Sequence, residues 1–493
     1  MLSIEEIKKI PLPNSKIAEI EIIERQIFSK KKGEWIDMPV CRVLFESSFG
    51  EGSYIRSELW MPDEWNGMLL GIGNGGFAGV LRAPYLHYAR RGYAVVETDM
   101  GTSLYKEGKL TRASAHLFRD NGERCTHIMT VVAKILIEAF YGRPAERAYF
   151  MGNSAGGKQA FCEAQRFPED YDGIVAGVPS HNALPIITYF LWSYVHLTTR
   201  EGYALIGTAL ASKISDEAAR FFAERGCAEK GSDYVEYSYA GEETVNDFLA
   251  HLRIAIPELT DVQLDALRAV YNGPVNSKNG KRIYTGIPIG SEIDCGYMRD
   301  TETPRPFDFP WFSLYFGEDF CPHDFDFADD YERMNADIGY DFTFNDPDLS
   351  PLHERGGRLL VFSGISDFWG PWAETVHYYN DVCRHFGGDE KAAEVMRLFL
   401  LPGKGHNVKG RGTNDWWGDE DRLPLLDVIR AWCEEGRAPD TLVAAHVENL
   451  GATDGSESVR WMRRIPRYVG ITAEGVDYPY VCHPDYAKPS KTQ

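Results

Sequence analysis

Three residue types in this chain could together carry out acyl chemistry: a serine set between glycines, an aspartate after one late strand and a histidine after the next. The serine is Ser154, in Gly152-Asn153-Ser154-Ala155-Gly156. A serine hydroxyl is a poor nucleophile until a base takes its proton and a third group orients that base. His406, in Pro402-Gly403-Lys404-Gly405-His406-Asn407, and Asp367, in Ile365-Ser366-Asp367-Phe368-Trp369-Gly370, have the side chains those two tasks need. The serine pattern alone is weak evidence, since a chain of this glycine and serine content produces one with a chance of roughly one in five. Any one of the 13 histidines is equally uninformative by itself.

The elements around these residues say more. Residues 148–151 are apolar and partly aromatic, as in a buried strand, and residues 158–165 read as helix. Strand, Gly-x-Ser-x-Gly, helix is the context of a nucleophile elbow, a turn so tight that the serine takes strained dihedrals. Side chains at Gly152 and Gly156 would collide with the neighbouring strand and helix. Upstream, the strand at 68–72 runs into Gly73-Asn74-Gly75-Gly76-Phe77-Ala78-Gly79. A phosphate-cradling loop would need a lysine and Ser/Thr at set positions or a Rossmann unit, and neither is present. A strand followed by Gly-Gly ahead of a serine elbow matches the oxyanion loop of α/β-hydrolases, where bare backbone N–H groups meet the developing charge. The chain order Ser154, Asp367, His406 is the order that fold uses.

Residues 16–62 alternate in the manner of antiparallel strands. A helix near 84–90, a strand at 93–98, a long helix over 125–140 stopped by Gly142 and Pro144, and a strand at 173–177 follow. This alternation predicts an α/β fold, a mostly parallel sheet with helices on both faces. Between about 181 and 345 the alternation gives way to aromatic-rich segments, Asp- and Gly-rich loops and helices near 216–225 and 261–271. That stretch is expected to be a large inserted lid, within a catalytic domain made of 1–180 and 346–493. Regularity returns with a strand at 356–364, a helix at 373–386 and a strand at 395–401.

Bulk properties exclude several classes. The net charge of −21, with Lys30-Lys31-Lys32 as the longest basic run, argues against nucleic acid or an anionic membrane surface as a partner. No apolar run reaches the ~18 residues of a membrane span. The charged first nine residues lack the apolar core of a signal peptide. The nine cysteines are scattered without a Cys-x-x-Cys pair and read as reduced thiols, so a cytoplasmic protein with a small-molecule substrate is expected. The acidic run around Asp324, Asp326, Asp329 and Asp330 lacks an Asp-x-Asp-x-Asp-Gly loop, and reads as a solvated face rather than a calcium site. No metal or cofactor is expected.

Taken together these residues resemble the tannase and feruloyl esterase family, and are similar to mono-hydroxyethyl terephthalate hydrolases. The resemblance runs nearly end to end, through Trp65-Asn66-Gly67, Gly73-Asn74-Gly75-Gly76, Gly92-Tyr93-Ala94, Phe140-Tyr141-Gly142, Gly156-Gly157-Lys158-Gln159 and Tyr271-Asn272-Gly273-Pro274. Its most specific part is the run from Glu163 through Arg166-Phe167-Pro168-Glu169-Asp170-Tyr171-Asp172 to Gly177. It implies an α/β-hydrolase core with a large lid and hydrolysis of esters of aromatic acids or alcohols. By position it implies Ser154 as nucleophile, His406 as base, Asp367 as its orienter, and the N–H groups of Ala155 and of Gly75 or Gly76 as oxyanion hole. Two departures stand out. The family's disulfide joins a cysteine before the serine to one after the histidine, and these positions here are Asn153 and Asn407. A hydrogen bond between the two amides would replace it at about 1 kcal/mol. The family's aspartate-rich calcium loop is also missing, so no calcium is expected. Two further readings stay open: the same triad serving C–C cleavage, acyl transfer or cyclisation, and a non-catalytic binding protein. Trp369 and Trp372, close after Asp367, are candidate substrate contacts, with core packing as the alternative.

Overall fold

The structure, a computed structural model, describes residues 4–470 except 25, 30–33, 82–85, 110–114, 229–230, 237–240, 301, 407–410, 420–421 and 453–454. Two compact units emerge. One comprises Met1–Asn182, Pro310–Phe320 and Asp337–Leu359; the other comprises Ala183–Phe309, Cys321–Ala336 and Leu360–Gln493. Residues 310–320 and 337–345 of the inserted stretch belong to the first unit, and residues 183–309 and 321–336 belong to the second with the late strands.

The first unit is built on strands β1 (Ser15–Ile23), β4 (Val40–Ser47), β5 (Ile55–Pro62), β6 (Met68–Ile72), β7 (Ala94–Thr98), β8 (Arg147–Asn153) and β9 (Gly173–Gly177). A small antiparallel hairpin, β2 (Gln26–Ser29) with β3 (Glu34–Asp37), lies between the first two in sequence. The sheet order is β1-β4-β5-β7-β6-β8-β9. β1, β4, β5 and β7 pair antiparallel, as the alternating N-terminal segments foretell, while β7, β6, β8 and β9 pair parallel. The parallel strands are buried almost throughout, which is why they read as unbroken apolar runs. Helix Cys125–Tyr141 ends on Gly142 at φ +74, a left-handed cap that a Cβ would disfavour. A π-helical stretch, Asp120–Arg124, leads into it.

The second unit holds helices Ala183–Leu197, Thr208–Glu224, Glu242–Ala255 and Asp261–Asn272, the last with a capping box between Thr260 and Gln263. It also holds β10 (Arg358–Gly364, all but its first two residues) and its neighbour β11 (Met396–Leu401), with helix Trp372–Phe386 between them in sequence. A three-stranded antiparallel sheet of β12 (Asp415–Gly418), β13 (Thr441–Glu448) and β14 (Ser458–Pro466) follows. No helix among the described residues is long and apolar enough to cross a membrane.

Candidate active site

Ser154 stands between the end of β8 and helix Ala155–Arg166, with φ +60 and ψ −118. Non-glycine residues avoid this region, so the turn is strained and is held by its surroundings. Its N–H donates to the carbonyl of Gly177 at 2.9 Å, and its carbonyl accepts from Lys158 at 3.1 Å and Ser180 at 3.2 Å. Three glycines make the turn possible. A Cβ on Gly152 would lie 2.3 Å from the Gly156 carbonyl oxygen, and one on Gly156 would lie 2.9 Å from the Asn74 carbonyl oxygen. One on Gly73 would lie 2.6 Å from the Gly156 Cα. The collisions expected at Gly152 and Gly156 are therefore present. The glycine-rich loop after β6 is itself one of the colliding partners, so Gly73 and Asn74 lie directly against the elbow.

That loop is pinned twice more. Gly73 N–H donates to the Met151 carbonyl at 2.8 Å, and Asn74 N–H donates to Gln159 Oε1 at 2.9 Å. Gln159 in turn donates to Thr126 Oγ1 at 2.8 Å. Gly76 has φ +59 and open space around it, and Ala155 begins the helix, where backbone N–H groups have no intrahelical acceptor. One turn into the helix, Lys158 is buried. Its ammonium donates to the Asn121 carbonyl at 2.9 Å and to its Oδ1 at 2.7 Å, and burial lowers its pKa to about 8. Sequence reasoning passed over Lys158 because a lysine on a helix ordinarily faces water.

The acid and the base form the second group. Asp367 is fully buried in the loop after β10. Its Oδ1 accepts the N–H groups of Trp369 at 2.8 Å and Gly370 at 2.9 Å. His406 Nδ1 lies 2.9 Å from Asp367 Oδ2 and 3.0 Å from Oδ1. A carboxylate only accepts, so Nδ1 carries the proton and Nε2 presents a lone pair, the tautomer of a general base. Burial opposes the charged imidazole, but the Asp367 charge and hydrogen bond outweigh it, and the pKa is raised. The two loops are laced together by Ile365 N–H to the Leu401 carbonyl at 3.1 Å and Ser366 N–H to the Lys404 carbonyl at 3.0 Å. Lys404 is buried, its ammonium donating to the Gly405 carbonyl at 2.7 Å.

Trp369 is half-buried in an aromatic cluster, its ring centroid 4.9 Å from Phe368, 5.3 Å from Phe190 and 6.1 Å from Phe309. Trp372 is buried at the start of its helix, where with Tyr271 and Thr285 it lines a cavity of about 20 Å3. That is the packing alternative for Trp372. Asn153 is exposed, and Asn407 lies outside the described residues, so the expected amide contact falls there as well. Among the described residues one group has metal-ligand spacing, His127, Glu163 and Asp170. His127 Nδ1 is 2.7 Å from Asp170 Oδ2, and the Lys134 ammonium is 3.7 Å from Oδ1. Both Glu163 oxygens are buried without a donor, and burial beside the Asp170 charge raises its pKa well above the ordinary value. Protonation of Glu163, which burial and the Asp170 charge favour, is one answer to this charge, and a bound cation is another.

Comparison with known proteins identifies the family of this chain. The family model described as tannase and feruloyl esterase matches residues 41–222 and 336–488. A probable feruloyl esterase B-2 of Aspergillus fumigatus is 26% identical over 486 residues, covering 93% of this chain and 90% of its own. A feruloyl esterase B of Aspergillus niger is 25% identical over 449 residues, covering 87% and 82%. The crystal structure of feruloyl esterase B from Aspergillus oryzae shares the fold, with a TM-score of 0.75 at 23% identity over 93% of this chain and 94% of that one. Tannin acyl hydrolase from Aspergillus niger does so with a TM-score of 0.68 at 18% identity, over 94% and 91%.

Proposed function

We propose, because this chain belongs to the tannase and feruloyl esterase family, that it hydrolyses carboxylic esters of aromatic, feruloyl- or galloyl-like acids through an acyl-enzyme on Ser154. It is a carboxylic ester hydrolase of α/β-hydrolase fold. The observation that carries the serine's role is its φ of +60 at the head of a helix. A strained turn walled by three glycines is a costly way to place a serine unless its hydroxyl must stand clear of the backbone.

In the proposed reaction His406 Nε2 takes the Ser154 proton as Oγ attacks the ester carbonyl. Asp367 keeps the proton on Nδ1 and stabilises the imidazolium. The N–H groups of Ala155 and of Gly75 or Gly76 receive the oxyanion. The imidazolium returns its proton to the leaving alcohol, and the base-activated attack of water then releases the acid and frees the serine. Trp369, among its aromatic neighbours, is the proposed contact for an aromatic acyl group. A reducing compartment fits this reading, since the eight described cysteines carry free thiols.

The test is acid release from methyl ferulate, methyl gallate and nitrophenyl acetate by wild type and Ser154→Ala. Hydrolysis by the wild type that vanishes in the variant is expected, with an aromatic acid preferred. A wild type that turns over none of the three overturns the proposed substrate class.

A further inference from the structure

Within the stretch expected to be only a lid, the turn at Gly290–Cys295 delivers a carboxylate to the loops of the acid and the base. Asp294 Oδ2 accepts the N–H of His406 at 3.0 Å and the N–H of Phe368 at 3.3 Å. It therefore holds the main chain of the base itself and that of the residue after Asp367. Its approach depends on Gly405, where a Cβ would lie 3.3 Å from the Asp294 carboxyl carbon.

The turn is firmly anchored. Asp294 N–H and Cys295 N–H donate to the Ser291 carbonyl at 2.9 and 3.1 Å. The neighbouring Glu292 is buried and accepts from Gly290 N–H at 2.9 Å, Tyr271 Oη at 2.8 Å and Ser215 Oγ at 2.6 Å. Those last two partners lie on the helices Asp261–Asn272 and Thr208–Glu224. A carboxylate on a turn fixed to two helices is a rigid support.

We infer that Asp294 is a positioning residue for the general base, tying the His406 loop to the Asp367 loop through one carboxylate oxygen. This rests on the esterase reading for its catalytic consequence. The charged groups facing His406 are Asp367, Asp294 and Lys404, and of these Asp294 is the second anion favouring the imidazolium.

The experiment compares Asp294→Asn, Asp294→Ala and Asp294→Glu with wild type. Asparagine keeps an acceptor oxygen but removes the charge, so kcat/KM should fall about tenfold, in kcat rather than KM, and its acidic limb should move to lower pH. Alanine should cost about a hundredfold. Glutamate, for which a cavity of about 130 Å3 beside Asp294 leaves room, should restore the acidic limb while remaining slower than wild type. Thermal melts show whether each variant folds. The His406 titration is also followed by NMR of histidine-labelled protein, assigned with His406→Asn, which requires no ester. A His406 titration unchanged in Asp294→Asn, or Asp294→Ala within twofold of wild type on a hydrolysed ester, overturns the inference. A wild type inert to esters whose His406 titration nonetheless moves down in Asp294→Asn would sink the esterase reading and leave the positioning intact.

Discussion

Around Ser154 the chain packs backbone against backbone, whereas around His406 it packs carboxylates against N–H groups. Gly73, Gly152 and Gly156 touch where any side chain would intrude, and the only freedom left to the serine is the strained one it adopts. Asp367 and Asp294 instead gather two N–H donors each and the imidazole, with Lys404 as the nearby cation. The first arrangement is steric and tolerates nothing larger than hydrogen. The second is electrostatic, and an isosteric change can remove its charge while leaving its shape. Folding and chemistry should therefore be inseparable in one place and separable in the other.

Asp367→Asn tests the separable side and should have the largest effect. The amide oxygen still accepts from Trp369 and Gly370, but its NH2 faces His406 and favours the wrong tautomer. A loss of about 10^3–10^4 in kcat is expected with a melting temperature within about 5 °C of wild type. A melting temperature that collapses with activity would mean that the charge is also structural. Gly152→Ala tests the inseparable side. Its Cβ would sit 2.3 Å from a backbone oxygen, so the elbow must move. Activity should fall about a hundredfold together with about 3 kcal/mol of stability, read by initial rates and urea melts. Activity lost at full stability would show that the glycines matter only to the chemistry.

Differences in legibility follow the same division. The elbow could be read from five consecutive residues and the elements on either side, because its constraints are local, and β6 and β9 occupy the residues their apolar runs mark. Asp367 and His406 were legible as loop residues after late strands. Asp294 was not, because its meaning lies in contacts with chain 74 and 112 residues away, and locally it is one acid in an Asp-rich stretch. The β12–β14 sheet and the π-helical Asp120–Arg124 were missed for a related reason, since neither has a strong periodic pattern of its own.

The charge of His406 gives a pH test of the electrostatic side. Its pKa is raised, so the neutral base is regained only above the ordinary imidazole value near 6.5, and the acidic limb of kcat/KM should lie above that pH. Stability should move oppositely. The ion pair's contribution is complete below the unfolded imidazole's value and is lost as pH rises through the higher folded one. Activity rising while the melting temperature drifts down through one window is the expected pair of curves, and an acidic limb below pH 6.5 would contradict it.

The smallest effect should come from Glu163, a buried acid in the serine-bearing unit that neither arrangement uses. Burial and the Asp170 charge raise its pKa, which favours the neutral acid in the folded state, where a proton could be shared with Asp170 beside His127 and Lys134. The stability this contributes is full below the ordinary glutamate value near 4.5 and is lost as pH rises through the folded value, when two carboxylates come to face one another. Glu163→Gln keeps a donor toward Asp170 and cannot ionise. The variant should match wild type within about 1 kcal/mol at pH 5 and melt above it at alkaline pH, with EDTA changing neither curve. Superimposable melting curves across that range would show that no proton is shared, and a fall of the wild-type melting temperature in EDTA would assign the three side chains to a metal ion instead.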